Sequence, residues 1–339
     1  MPIVTTEHFK SGNLPLSKNG IPQVSEDDYC RLKGYMLETD DIVFSRVGSV
    51  DINAHVEHVQ QGWLFSGRVL RVRPIKSVNS LCLHYVLSTE SVKRDIRNRA
   101  VGQTMPSINT PILSNTGIYM SQSEAEQKKI ANLLSIIDER ISTQNKIIED
   151  LKKLKSAISK KLLCNDKWTT CKIQDIAEIG RGRVISSVEI DRQKHPLYPV
   201  YSSQTSNNGI MGYLDNYMFD GEYITWTTDG ANAGTVFYRK GKFNCTNVCG
   251  TLKILPKFDC YFVSLVLQQA TQKYVSSNLA NPKLMNNTMA SIKIRMPNIE
   301  TQKQLSKVFQ TLDSCLLVHQ RTCKMYLSEK QYLLRQMFI

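Results

Sequence analysis

Apolar residues recur at intervals of three, four and seven along residues 123–163, at Ile130, Leu134, Ile137, Ile141, Ile148, Leu151, Ile158 and Leu162, with charged residues filling the positions between. Residues three and four apart share one face of an α-helix, so the pattern predicts a single long amphipathic helix. The stretch holds no proline or glycine, and a Ser-x-x-Glu capping box, Ser123 and Glu126, opens it. At 1.5 Å per residue it would run about 60 Å. Residues 298–339 repeat the pattern. Adding 175 to each apolar position gives Leu305, Phe309, Leu312, Leu316, Cys323, Tyr326, Leu333 and Met337. Gln127-Lys128 recurs as Gln302-Lys303, and Asp138 as Asp313. The seam's polar breaks coincide too, Gln144 with His319 and Lys155 with Lys330. Polar residues on a seam fix register at a cost in stability, so their coincidence points to two copies of one helix.

Upstream of each helix the similarity continues with a shift of 176: Pro106, Ile118 and Met120 match Pro282, Ile294 and Met296, and each copy reads as a short strand ending in Met before the helix. Residues 40–48 and 220–228 are acidic turns leading into strands. Residues 69–74 and 251–256 read as strands closed by a proline, followed by short helices at 81–87 and 261–269. The predicted layout is globular region 1–122, long helix 123–163, globular region 164–297 and long helix 298–339, in a mixed α/β fold with an internal pseudo-twofold repeat.

The 339 residues carry a formal charge of +13, which favours a polyanionic partner. No apolar run approaches the roughly 20 residues that span a bilayer, and residues 1–7 lack the basic and apolar regions of a secretory signal, so a cytoplasmic location is expected. Nine cysteines form no Cys-x-x-Cys pair. His55-x-x-His58 and Cys245-x-x-x-Cys249 lack a second ligand pair, so no metal site is expected.

Catalytic readings do not find their residues. Residues 229–235 are glycine-rich but lack the Gly-Lys-Ser/Thr ending of a phosphate loop, and Gly180-Arg181-Gly182-Arg183 lacks the third glycine of a dinucleotide fingerprint. Asn281-Pro282-Lys283-Leu284 lacks the second proline and the aromatic of an amino-methyltransferase tetrapeptide. Asp27-Asp28 and Asp40-Asp41 read as solvated turn residues.

In the order and duplication of its parts, the chain resembles the specificity subunit of type I restriction-modification systems. The resemblance rests on the two long helices with their Met-ending lead-ins (Met120 to Ala131, Met296 to Lys303), on Trp168-x4-Ile173-x2-Ile176 at the head of the second globular region, and on the paired acidic-turn strands. It implies a non-catalytic adaptor. The two globular regions would be target-recognition domains, each reading half of a split site on double-stranded DNA, and the helices, packed as an antiparallel coiled coil, a spacer that docks two methyltransferase subunits. S-adenosylmethionine would sit on those partners, and ATP and Mg on restriction subunits that join them. This chain would hold no cofactor.

Loop polarity and matching positions in the repeat give the candidate DNA-binding residues. They are Ser45, Arg46, Gln103, Thr104, Ser107 and Asn109 in the first region. In the second they are Arg181, Arg183, Ser202, Ser203, Asn207, Asn208, Thr227, Thr228, Asn232, Lys283, Asn286 and Asn287. Taken singly, each reads more simply as a solvated loop residue; residues 103–109 and 280–286 gain weight from their equivalent places. The Lys152-Lys153-Lys155 and Lys160-Lys161 clusters read equally as a solvated helix face. The Trp-x4-Ile-x2-Ile lead-in has no counterpart before Met1-Pro2-Ile3-Val4, which itself matches Tyr198-Pro199-Val200-Tyr201, so the first region is expected to lack an N-terminal strand. Two other readings stay open: a basic coiled-coil nucleic-acid scaffold without sequence specificity, and a divergent DNA-modifying enzyme.

Overall fold

The computed structural model describes residues 1–163, 166–276 and 281–338. It divides into two compact units, Met1–Lys146 with His319 onward, and Ile147–Val318. Two 39-residue helices, Glu124–Leu162 and Ile299–Met337, each contribute to both units, so the units cut across the helices rather than ending at them.

In the first unit, β1 (Ile3–Val4) pairs in parallel with β4 (Leu64–Phe65), while β2 (Ile42–Ser45) lies between β3 (Asn53–His55) and β5 (Val69–Val72), antiparallel to both. Successive side chains of a strand point to opposite faces. Ile42 and Phe44 accordingly enter a core with the helix Ser80–Leu87, and Val43 enters a second core with Val4, Phe9 and Trp63. Both faces of β2 are covered, which explains its continuously apolar sequence. Asp40 opens the strand at φ 72°, and Asp41 is buried, its carboxylate held by Arg73 at 2.7 and 2.8 Å. Asp41 is therefore a buried ion-pair partner, not the solvated turn residue its sequence suggests.

The long helices meet in this unit through Asp138–Lys330, Arg140–Tyr326, Gln144–His319 and Asn145–Cys323 contacts. Partner numbers broadly fall as the first helix advances, so the segments run antiparallel. Gln144 and His319, two of the seam's four polar breaks, satisfy each other at 2.7 Å. Tyr85 from the short helix donates to Asp138 at 2.9 Å, completing a Tyr–Asp–Lys triad.

His84, 7 % exposed, lies beside Asn53 Oδ1 at 2.7 Å. Burial, with His55, Lys330 and Lys93 nearby, lowers its pKa to about 3. A group whose folded pKa lies below its unfolded value binds more protons unfolded, so the first unit should lose stability as pH falls from about 6.5 towards 3. At pH 5 the loss amounts to about 2 kcal/mol. Hydrogen exchange of the helix Ser80–Leu87 should accelerate between pH 7 and 5, after correction for the intrinsic rate, and His84→Gln should flatten that dependence. An unchanged slope in the variant would refute the assignment.

Among its described residues the second unit contains nine strands: β6 (Thr169–Lys172), β7 (Ala177–Arg181), β8 (Tyr198–Tyr201), β9 (Ile210–Leu214), β10 (Glu222–Thr227), β11 (Val236–Lys240), β12 (Asn244–Cys245), β13 (Cys249–Ile254) and β14 (Lys293–Met296). They form sheets in the orders β11-β10-β13-β7, β12-β8-β9 and β14-β6. The helix Cys260–Ala270 packs on the largest sheet, and its first eight residues are buried. Trp226, fully buried, lies on Gly250, where any Cβ would strike the indole ring, so a residue without a side chain is required. Trp168 packs edge-on against Phe262, and Ile173 and Ile176 are buried in the same core.

Contacts of the first unit recur here. Tyr261 donates to Asp313 at 2.5 Å, and Lys155 completes that triad. Gln127 accepts from the backbone N–H of Asn79 at 2.7 Å, and Gln302 from that of Asp259 at 2.9 Å; both glutamines are buried, and both donor residues cap the following short helix. β1 pairs with β4 as β8 pairs with β12, and β2 with β5 as β10 with β13.

Three expectations fail locally. Residues 118–120 form no strand, whereas Lys293–Met296 pairs with β6; a two-stranded ladder needs a partner, and no described residue supplies one to Met120. The capping box is half-formed: Ser123 Oγ accepts from Glu126 N at 3.4 Å, but the Glu126 carboxylate takes the Ser121 hydroxyl instead. Leu162 is exposed and Leu163 turns into the core in its place. The other seam positions are buried or half-buried.

Candidate nucleic-acid interface

In each unit a backbone ladder joins the end of the acidic-turn strand to the segment that precedes the second candidate loop. In the first unit Ile108 N donates to Arg46 O at 2.9 Å and Gly48 N to Pro106 O at 2.8 Å, with Val47 bridged to Ser107. In the second, Leu284 N donates to Thr228 O at 2.8 Å and Gly230 N to Pro282 O at 3.0 Å, with Asp229 bridged to Lys283. The ladder brings Arg46 together with residues 103–109, and Thr228 together with Lys283. Ala280, at the head of the second segment, lies outside the described residues.

Arg46, Gln103, Thr104 and Asn109 are exposed. Arg46 donates to Gly67 O at 3.3 Å, and Asn109 caps the helix Thr110–Ser114 through Ile112 N. Ser107 is half-buried, its hydroxyl on Val101 O. Ser45 is corrected: at 2 % exposure it ends a strand covered on both faces and its hydroxyl returns to Val47 O, so it cannot reach a base.

Arg181, at the end of β7, is the best-held candidate. Its Nε donates to Asn247 O at 2.6 Å, and its Nη2 to Thr228 Oγ1 at 3.0 Å and Asp229 Oδ2 at 3.3 Å. Lys283 Nζ approaches the other Asp229 oxygen at 3.9 Å. The result is two cations flanking one carboxylate at a sheet edge, with the guanidinium still part-exposed. Thr227 and Thr228 are corrected: both are buried, so Thr227 is structural and Thr228 acts by orienting Arg181. Arg183 is exposed but clamped by Glu189, which raises the pKa of the guanidinium.

A second loop carries Ser202, Ser203, Asn207 and Asn208. Asn207 and Asn208 are exposed and left-handed (φ 47° and 53°), a conformation that asparagine tolerates better than most residues. Asn232 ties this loop to the 229–235 turn by donating to Ser203 O at 3.3 Å. Asn287 is exposed, while Asn286 is half-buried with its Oδ1 unpartnered and its amide donating to Gly180 O at 3.4 Å.

Sequence reasoning missed three members. Asp229 and Asn247 hold Arg181. Arg239, 3 % exposed, lies under the 202–209 loop with its guanidinium 3.5 Å from the centre of the Tyr201 ring and Nε donating to Thr225 Oγ1 at 3.2 Å. Burial lowers its pKa to about 10. Gly209 (φ 82°) lies over it, where a Cβ would stand 3.1 Å from Nη2. The sequence of β11, Val236-Phe237-Tyr238-Arg239-Lys240, ends in two adjacent cations, so no local pattern marks Arg239 as buried.

The chain matches the family described as "Type I restriction modification DNA specificity domain" over residues 1–153 and 165–324. It belongs to that family. A Mycoplasma pneumoniae protein named as a type I specificity subunit N-terminus is 45 % identical over 147 residues, covering 42 % of this chain and 76 % of the relative. A second M. pneumoniae type I specificity subunit is 38 % identical over 185 residues, covering 54 % and 77 %. Among solved structures, a type I restriction-modification S subunit from M. genitalium superposes with TM-score 0.71 at 17 % identity, covering 99 % of this chain and 91 % of that one. A structure from work on assembly and conformational transition of the type I system gives TM-score 0.54 at 12 % identity, covering 89 % and 82 %. In this specificity-domain protein both matched segments contain one of the two backbone ladders. Among the described residues no helix is long and apolar enough to cross a membrane.

Proposed function

We propose that this chain is the non-catalytic sequence-reading subunit of a type I restriction-modification complex, built as a duplicated unit and recognising a bipartite duplex site. The observation that carries the reading is the twofold occurrence of one ladder, 46–48 with 106–108 and 228–230 with 282–284, each presenting polar loop residues at a strand end. The matching Tyr85–Asp138–Lys330 and Tyr261–Asp313–Lys155 triads support a pseudo-twofold repeat and a paired-helix spacer. The helix pairing would offer the same docking surface to two methyltransferase subunits, which bring S-adenosylmethionine; restriction subunits would bring ATP and Mg. The +13 charge would grip phosphates in a salt-dependent way, and the loops would discriminate bases.

The purified chain should bind its duplex but methylate nothing until methyltransferase subunits are added; methylation by the chain alone would overturn the reading. Arg181→Ala should weaken specific binding roughly tenfold to a hundredfold, about 1–3 kcal/mol, with little change in binding to random duplex. Lys153→Ala, on a lysine already paired with Glu149, should change neither. Fluorescence anisotropy at fixed salt reads both variants. Equal weakening on specific and random duplex would reassign Arg181 to the phosphate backbone.

A further inference from the structure

The first unit contains a polar cavity of ≈ 780 Å³ that the DNA-reading loops do not use. Its walls come from the loop after Phe9, from the junction of the helices Ser80–Leu87 and Glu90–Arg99, and from the last three turns of the second long helix. Lys93, Arg94 and Arg335 line it, and none has an ion-pair partner among the described residues. The other charges there are already engaged, Lys330 with Asp138 and Glu90 with Arg97. The cavity is therefore left strongly positive.

Two further features aim into the same space. The helix Glu90–Arg99 starts without a side-chain cap, Thr89 Oγ1 donating back to Val86 O at 2.7 Å, and its first residues Glu90 and Ser91 line the cavity, so the uncapped N-terminus lies at its wall. On the floor, His84 is nine-tenths buried. Asn53 donates its amide to Ser88 Oγ at 3.2 Å, which leaves its carbonyl to accept from His84 Nδ1, and the other ring nitrogen is then a bare acceptor. His84 stays neutral despite its role as a basic side chain, since burial and the surrounding cations disfavour its charge. The fold does not demand such a floor: at the corresponding place of the second unit Cys260 replaces His84, and the cavity there is lined by Leu265 and Leu316 beside its lysines.

We infer that this cavity binds a small nucleoside phosphate, its phosphate oxygens on Lys93, Arg94, Arg335 and the helix N-terminus, and a hydroxyl or amino donor of its nucleoside on His84. An acceptor beside three free cations suits a ligand that is anionic at one end and carries a donor at the other, and suits bare phosphate or a purely basic ligand poorly.

Isothermal titration of the full chain with AMP, adenosine and pyrophosphate tests the inference. AMP should bind, with pyrophosphate at least tenfold weaker and adenosine weaker still. Arg94→Glu with Arg335→Glu, both at exposed positions, should reduce AMP affinity at least tenfold. His84→Phe should reduce AMP affinity without changing that for pyrophosphate; should that variant fail to fold, the arginine pair decides. Absence of AMP binding, equal affinity for pyrophosphate and AMP, or displacement of AMP by a short duplex would each overturn the proposal, the last by assigning the cations to DNA.

Discussion

Inserting one heptad into each long helix, after Lys146 and after Val318, should move the two methylated half-sites about three base pairs further apart. Seven residues add about 10 Å to a helix, and one turn of B-DNA, about 10 base pairs, rises about 34 Å. The insertion points lie where the compact units meet in sequence, so the Asp138–Lys330, Gln144–His319 and Lys155–Asp313 pairs all keep their partners. A heptad also nearly preserves rotational phase, drifting only about 20°. Inserting seven residues into one helix alone should instead break the pairing, because a seven-residue slip sets Asp138 opposite Cys323 or Met337 and Gln144 opposite Leu312 or Tyr326. Methylation mapping on a library of spacers reads the outcome. An unchanged spacer length with both insertions in place would sink the idea that the helices set the distance.

The helices were legible because one periodicity, sustained for eleven turns and repeated 175 residues later, has few alternative explanations. The polar breaks pointed to a seam that needs polar partners, as Gln144 and His319 supply to each other, while the antiparallel direction came only from the family resemblance. The proposed DNA-reading edge was less legible for two physical reasons. Strand ends look like loops in sequence, so Ser45 and Thr227 were chosen as readers although both faces of their strands are covered. Long-range charge pairing is also invisible to local patterning: Arg73 finds Asp41 across 32 residues and Arg181 finds Asp229 across 48. Arg239 was missed because a buried guanidinium supported by two aromatic rings and a threonine is rare enough that sequence patterning assigns any arginine to solvent. The Met-ending strand at 118–120 shows the converse error, a good strand sequence left without a neighbour to pair with.

Trp226→Ala should be the most destabilising single change, costing the second unit about 3–5 kcal/mol. The indole is fully buried, and Gly250 opposite has no side chain that could move into the space. Its N–H also donates to Leu284 O at 2.9 Å, so truncation orphans a buried carbonyl. Trp226→Phe keeps most of the packing but loses that bond, and should cost nearer 1–2 kcal/mol, measured by urea unfolding with Trp168 as the remaining fluorophore of the unit. The milder variant is the more informative one. Leu284 N donates to Thr228 O, so the bond from Trp226 anchors the same ladder that seats Asp229 beside Lys283 and Arg181. On the proposed function, loosening that anchor should relax base discrimination at the half-site assigned to the second unit while leaving the half-site assigned to the first untouched. Substitution scanning across a cognate duplex would separate the two. A loss spread evenly over both half-sites would mean that Trp226 supports the fold without positioning the reading edge.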